Sequence, residues 1–170
     1  LRISANPVLP HLPDSEFERS CCMNPCVIRV EDEYHLYYAG GDSDGHKRIC
    51  MATAKVEDLT QWNRHGPLFD LGKPGDFDAN WCVLPHVIEF EPGRWHLYYT
   101  GNCGVGVGLS SFPGIGVAFS DDRKTWTKHD GGPVLSLSGV EGDPDAQGIA
   151  GGSVIKVKLP DGTTEWRFYY

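Results

Sequence analysis

No stretch of this 170-residue chain runs to 18 apolar residues, so nothing in it is patterned as a membrane-spanning helix. Lysine and arginine total 15 against 23 aspartates and glutamates, a formal net charge of -8, and the cations do not cluster. That excludes the basic surface needed to neutralise nucleic-acid phosphates. None of the six cysteines (Cys21, Cys22, Cys26, Cys50, Cys82, Cys103) falls in C-x-x-C spacing, which argues against a zinc site. The adjacent Cys21 and Cys22 do not suit a disulfide framework in a chain this size, so the cysteines read as buried or free thiols. Helical periodicity is missing as well; residues 55–60 alone would suit one short turn. No charged-then-apolar leader opens the chain. Its first residue is Leu1, compatible with a missing or processed start, so cytoplasmic and secreted locations both stay open.

What is abundant is turn chemistry and aromatic residues: Gly 21, Pro 12, and 11% Phe, Trp and Tyr. They are organised as a repeat. The phrase Tyr34-His35-Leu36-Tyr37-Tyr38-Ala39-Gly40 returns as Trp95-His96-Leu97-Tyr98-Tyr99-Thr100-Gly101, a shift of 95 − 34 = 61. It starts again as Trp166-Arg167-Phe168-Tyr169-Tyr170, a shift of 166 − 95 = 71. Pro25-Cys26-Val27-Ile28 matches Pro85-His86-Val87-Ile88 and Gly152-Ser153-Val154-Ile155. Asn6-Pro7-Val8-Leu9 matches Gly66-Pro67-Leu68-Phe69 and Gly132-Pro133-Val134-Leu135. Ile49 to Ala54 matches Ile115 to Ser120, each followed by acidic residues and a tryptophan, Trp62 or Trp126.

Each landmark alternates with the period of two that a pleated strand requires, and turn pairs such as Asp44-Gly45, Pro92-Gly93 and Asp161-Gly162 separate them. Four strands in about sixty residues, repeated, predict an all-β chain, a β-propeller of four-stranded antiparallel blades. An ordinary β-sandwich would not require the same phrase at corresponding places. The phase divides the chain into a closing strand of the last blade (1–10), blade 1 (11–69), blade 2 (70–135) and the start of blade 3 (136–170). About two and a half blades cannot close a ring, so a longer natural protein, or a homo-oligomer that completes the propeller, is expected.

One carboxylate recurs with the repeat. Glu18, Asp78 and Asp145 each stand seven residues before the position aligned with Pro25: 25 − 18, 85 − 78 and 152 − 145. An acid entering the inner strand of each blade predicts three carboxylates around one channel, and glycoside cleavage needs a pair: one to protonate the leaving oxygen, one to activate water or attack the anomeric carbon. Crowding also raises the pKa of one of them. The alternative is structural, an acid that caps a strand entry and recurs by ancestry. Glu141 and Asp143 share the loop of Asp145. Trp81 is a candidate platform for a sugar ring or a core aromatic, and His86 a candidate substrate donor or a satisfied polar histidine.

The unit P-V-L, carboxylate, P-x-V-I, W-H-L-Y-Y-T-G, I-G-V-A-x-S-D-D, T-W resembles the five-bladed propeller glycosidases: arabinanases and β-xylosidases, invertases and levansucrases, and mannoside phosphorylases. The likeness runs over nearly the whole chain and lies in scaffold strands. It implies glycoside hydrolase or phosphorylase activity on a carbohydrate substrate, with a base or nucleophile, a pKa-tuning Asp and an acid on successive blades, matched in position by Glu18, Asp78 and Asp145. Where the arabinanase branch has Asp-Pro, this chain has Asn24-Pro25, as in the phosphorylase branch, which adds Asn24 to the substrate-binding candidates. Asp145 stands where Glu is usual. No cofactor is implied, beyond a channel ion such as calcium by analogy. A non-catalytic carbohydrate- or protein-binding propeller is the competing reading. Ser120 to Trp126 has a fainter likeness to the Asp-box turn of sialidases. Gly104 to Gly108 lacks the following helix of a dinucleotide loop and reads as a hairpin insertion. Asp42-Ser43-Asp44-Gly45 lacks the acids of a calcium loop and reads as a turn.

Overall fold

Aromatic and β-branched runs broken by Gly, Pro and Asp turns favour antiparallel hairpins. In the structure, a computed structural model that describes residues 6–104 and 111–170, they form three successive groups of strands. The first is a meander of β1 (Cys21–Val30), β2 (Glu33–Gly41), β3 (Lys47–Lys55) and β4 (Asn63–Pro67). The second repeats it with β5 (Trp81–Glu91), β6 (Arg94–Asn102) and β7 (Gly114–Ser120). Its outer edge is split between β8 (Thr127–Lys128) and β9 (Leu135–Ser136), both paired with β7, so β9 straddles the division proposed at residue 135. The third is the hairpin of β10 (Ser153–Lys158) and β11 (Thr164–Tyr169). The chain is all-β, a partial propeller. The described residues include no helix, residues 56–60 being turns and irregular chain, and hence none long and apolar enough to cross a membrane.

The period-two alternation has a particular use here. Both faces of β2 are buried. Leu36 and Tyr38 pack with Cys50 and Ala52 on one side. Tyr37, Ile49 and Met51 face the other way and join Leu97, Tyr99 and Trp126 of the second blade in a shared core. Alternation therefore sorts side chains between two neighbouring blades, not between core and solvent. Among the described residues the two meanders share a single ladder pairing, Lys47 with Trp81. Of the expected closing strand at 1–10, residues 1–5 lie outside the described residues; residues 7–9 form a bend, and Leu9 packs on the cluster of Leu36 and Tyr38. Its repeat counterpart, Phe69, lies 5.4 Å from Tyr99.

Side chains fold the turns. Asp42 accepts the N–H groups of Asp44 and His46 and pairs with Arg48 at 2.9 Å, which makes the Asp42–Gly45 segment a turn. Asp122 accepts the N–H groups of Lys124 and Thr125, and four hydrogen bonds to its carboxylate hold its pKa down at about 2. Trp62 and Trp126 each donate the indole N–H to the carbonyl three residues back, at 3.0 and 3.1 Å. Cys21, Cys22, Cys26, Cys50 and Cys82 form no disulfide among the described residues. Val105 to Gly108 lie outside the described residues.

The glycine that ends the aromatic phrase also has a cause. A Cβ on Gly101 would sit 2.4 Å from the Phe77 ring, and one on Gly40 would sit 2.7 Å from the Phe17 carbonyl. In both blades the segment carrying the acid crosses the strand at this point, and only a residue without a side chain lets it pass. Gly101→Ala is expected to destabilise the fold by about 1–3 kcal/mol through overpacking, read as a lowered melting temperature.

Candidate functional site

Glu18 and Asp78 lie in two separate buried nodes of matching composition. Glu18, 3% exposed, accepts the Tyr38 hydroxyl at 2.5 Å and pairs with the Arg64 guanidinium. Asp78, 2% exposed, accepts the Tyr99 hydroxyl at 2.9 Å and pairs with the Lys128 ammonium at 2.5 Å. Tyr38 and Tyr99 are the same position of the aromatic phrase, and each cation stands two residues after its blade's tryptophan: 64 − 62 and 128 − 126. Arg64 also donates to the Pro10 carbonyl, and Lys128 to that of Asp70, each eight residues before its acid: 18 − 10 and 78 − 70. Burial, followed by the hydrogen bond to the carboxylate at Tyr38 and the neighbouring Cys82 and Asp78 at Tyr99, pushes both phenols well above their ordinary pKa. Beside Asp78, the Cys82 thiol is raised by burial first and the carboxylate second.

A carboxylate neutralised by a cation, tied to a phenol and shut away from solvent is held in place. Asp145 differs: it is half-buried, accepts the Tyr170 hydroxyl at 3.2 Å, and has no cation within salt-bridge distance among the described residues. The Trp81 indole N–H donates to Gly45 at 2.7 Å and its face is covered by the Lys47 ammonium at 3.7 Å, so the ring cements the β2–β3 turn to the second blade. His86 Nε2 lies 3.2 Å from the Val154 carbonyl, linking the inner strands of the second and third blades.

The point where all three blades meet is elsewhere. Asn24-Pro25, Leu84-Pro85 and Gly151-Gly152, equivalent pairs in the repeat, line one small cleft of about 140 Å³. At each, the backbone is left-handed: φ is 55° at Asn24, 54° at Leu84 and 77° at Gly151. Register shifts between Met23 and Cys26 and between Val83 and His86 mark β-bulges there. A left-handed Leu is costly, an Asn much less so, and such strain concentrates where a ligand or a turn demands it. Asn24 supplies the polar side chain of the lining. The alignment marked Pro25, Pro85 and Gly152 as landmarks. The glycine at 151, in register with Asn24 and Leu84, was the remaining signal of a left-handed position. No group of three or more His, Cys, Asp or Glu side chains that could hold a metal exists among the described residues, and the cleft residues do not fit calcium, which wants several oxygen ligands, carboxylates among them.

No protein-family model matches the chain. It is 31% identical over 147 residues to a 1,2-β-oligomannan phosphorylase of Thermoanaerobacter sp. (strain X514), an alignment that takes in 85% of this chain and 42% of that protein. The fold matches a glycosyl hydrolase from Bacteroides ovatus with a TM-score of 0.67 at 20% identity, over 94% of this chain and 47% of the other. The chain shares its fold with a group of solved glycoside hydrolases. Within that group it also matches, at a TM-score of 0.68 and 19% identity over 94% of this chain and 47% of the other, a structure from work on the GH130 family of mannoside phosphorylases containing glycoside hydrolases that target β-1,2 mannosidic linkages in Candida mannan. The chain spans less than half the length of these propeller relatives.

If the nodes hold the blades of this propeller, Asp78→Asn and Lys128→Met should each lower stability by on the order of 3 kcal/mol, because each strands one buried partner. The double variant should lose clearly less than the sum. Chemical denaturation of the four proteins in the cycle measures both.

Proposed function

We propose that this chain is the sugar-binding part of a propeller enzyme that cleaves glycosidic bonds by hydrolysis or phosphorolysis, with a β-1,2-linked mannoside in the axial cleft. The observation that carries the reading is the convergence of three equivalent, left-handed positions, two in inner strands and one just before the third, on one cleft. Strained backbone at the shared axis exposes peptide groups and the Asn24 amide to a ligand, the kind of donor and acceptor set that orients sugar hydroxyls. The names of the relatives supply the bond class. Of the three recurring acids, Asp145 keeps a carboxylate that a substrate could reach, and it is our candidate general acid. Glu18 and Asp78 then act as blade staples, although the family resemblance matches them to catalytic positions. A second reading, a propeller that binds glycans without cleaving them, draws support from the absence of any ionisable side chain in the cleft lining among the described residues.

Titration of β-1,2-mannobiose into the labelled chain, followed on the Asn24 side-chain amide, tests the site. Loss of that amide's hydrogen bond in Asn24→Ala should weaken binding about threefold to tenfold. Incubation with the disaccharide, with and without inorganic phosphate, separates the chemistries: mannose 1-phosphate marks phosphorolysis and free mannose alone marks hydrolysis. Activity that survives Asp145→Asn removes Asp145 from the proposal. Binding without turnover favours the second reading, and no binding at Asn24 removes the axial site.

A further inference from the structure

Two buried polar atoms at the junction of the first and second blades lack a hydrogen-bond partner among the described residues: His35 Nδ1 and Arg123 Nε. His35 sits on β2 and is 2% exposed. Its Nε2 points to the Glu33 carboxylate, 3.8 Å away. Arg123 comes from the β7–β8 turn of the other blade. Its backbone is left-handed, with φ of 66°, although it is not glycine. Leu59, its counterpart in the first blade, is not among the left-handed residues. The turn is fixed around Arg123 from every side: its N–H goes to Ser120 Oγ at 2.8 Å, and its carbonyl accepts the Tyr37 hydroxyl at 2.9 Å and the Trp126 indole at 3.1 Å. Its guanidinium lies 5.3 Å from the centre of the Trp95 ring.

We propose that His35 and Arg123 form a proton-sensitive latch between the first two blades, closed while the imidazole is neutral and loosened when it takes up a proton. A neutral ring with its hydrogen on Nε2, toward Glu33, leaves a lone pair on Nδ1. The Arg123 Nε–H is the complementary donor, across one water. This pairing gives the strained backbone at Arg123 a purpose, since it carries the side chain into the junction. Protonation converts the only acceptor of the ring into a donor and adds a buried positive charge. The charged groups that face His35 are Arg123 and Lys124 from the second blade, Glu33 on its own strand, and His65 on β4, which lies 3.0 Å from Thr53. Three of these four are cationic or can become so, and Glu33 alone opposes them.

The geometry sets the sign. Burial first, and Arg123 second, hold the His35 pKa below the ordinary histidine value. The unfolded chain, titrating at about 6.5, then binds more protons than the folded one, so stability is intact above that pH and is lost as pH falls through it toward the folded pKa. His96, stacked on Phe90 at 4.3 Å, is also lowered, by burial first and then Arg94, and serves as an internal comparison, since Arg123 is not among the groups acting on it.

Ring-resolved NMR titration of the full chain tests the latch. His35 should hold the Nε2–H form at neutral pH and titrate below about 6.5, and Arg123→Met should move that titration upward while leaving His96 in place. His35→Gln, which cannot take up a proton, should flatten part of the fall in melting temperature between neutral and acidic pH. The unfolding equilibrium of the wild-type chain should rise relative to this variant by up to about tenfold per unit of pKa separation. A His35 that titrates at or above the ordinary value, an unchanged titration in Arg123→Met, or a wild-type pH slope in a folded His35→Gln overturns the proposal. If His35→Gln does not fold, the titrations of the wild-type chain and of Arg123→Met decide.

Discussion

A carboxylate buried at the mouth of a blade obliges the chain to bury its partners with it. In this chain the same set is assembled twice: an acid from the segment entering the blade, a tyrosine from the second strand, and a cation from the outer edge. The cation reaches one step further, to the backbone of the segment that arrives from the preceding blade. Entry, middle and edge of each sheet are thereby tied at one point. The glycine after the aromatic phrase belongs to the same arrangement, because the acid-bearing segment can reach its node only by crossing the strand where no side chain stands. With the node in place, the faces of β2 and β6 are free to be apolar on both sides, and the blades can stack.

How much of this was legible beforehand depends on distance along the chain. The strands, their phase and the all-β class rest on local alternation and on a repeated phrase, and both are visible in the residues themselves. The partners of the acids are not. Arg64 and Lys128 lie in outer strands, far in sequence from Glu18 and Asp78, and nothing local links them. Recurrence of an acid once per blade is what ancestry produces whether the group works on a substrate or holds a sheet together. Burial and a private cation separate the two, and neither is written in spacing. Trp81 shows the same limit: its ring reads as a sugar platform or a core aromatic, and the Lys47 ammonium over its face is not written in the local sequence.

The axial cleft was half visible. The prolines at 25 and 85 were landmarks, and Asn24 entered the reading through family likeness alone. Leu84 carried no chemical signal at all. What unites Asn24, Leu84 and Gly151 is backbone conformation: the inner strands bulge at Asn24 and Leu84, and Gly151 stands at the equivalent place just before β10. Propensity argues against leucine there, whereas asparagine is among the non-glycine residues that tolerate it best, so at Leu84 the requirement comes from the assembled sheet and not from the residue.

The single ladder pairing between the first two blades has a consequence for how such a chain can grow. Because the acid, its tyrosine and its cation all lie within one blade, a duplicated blade arrives with its buried charge already neutralised. Its lateral contacts are side chains that can be exchanged one at a time without breaking a sheet. Architecture of this kind can gain a blade by copying and adapt its seams afterwards, which accounts for a phrase still readable three times over while the residues at the shared axis have diverged to asparagine, leucine and glycine.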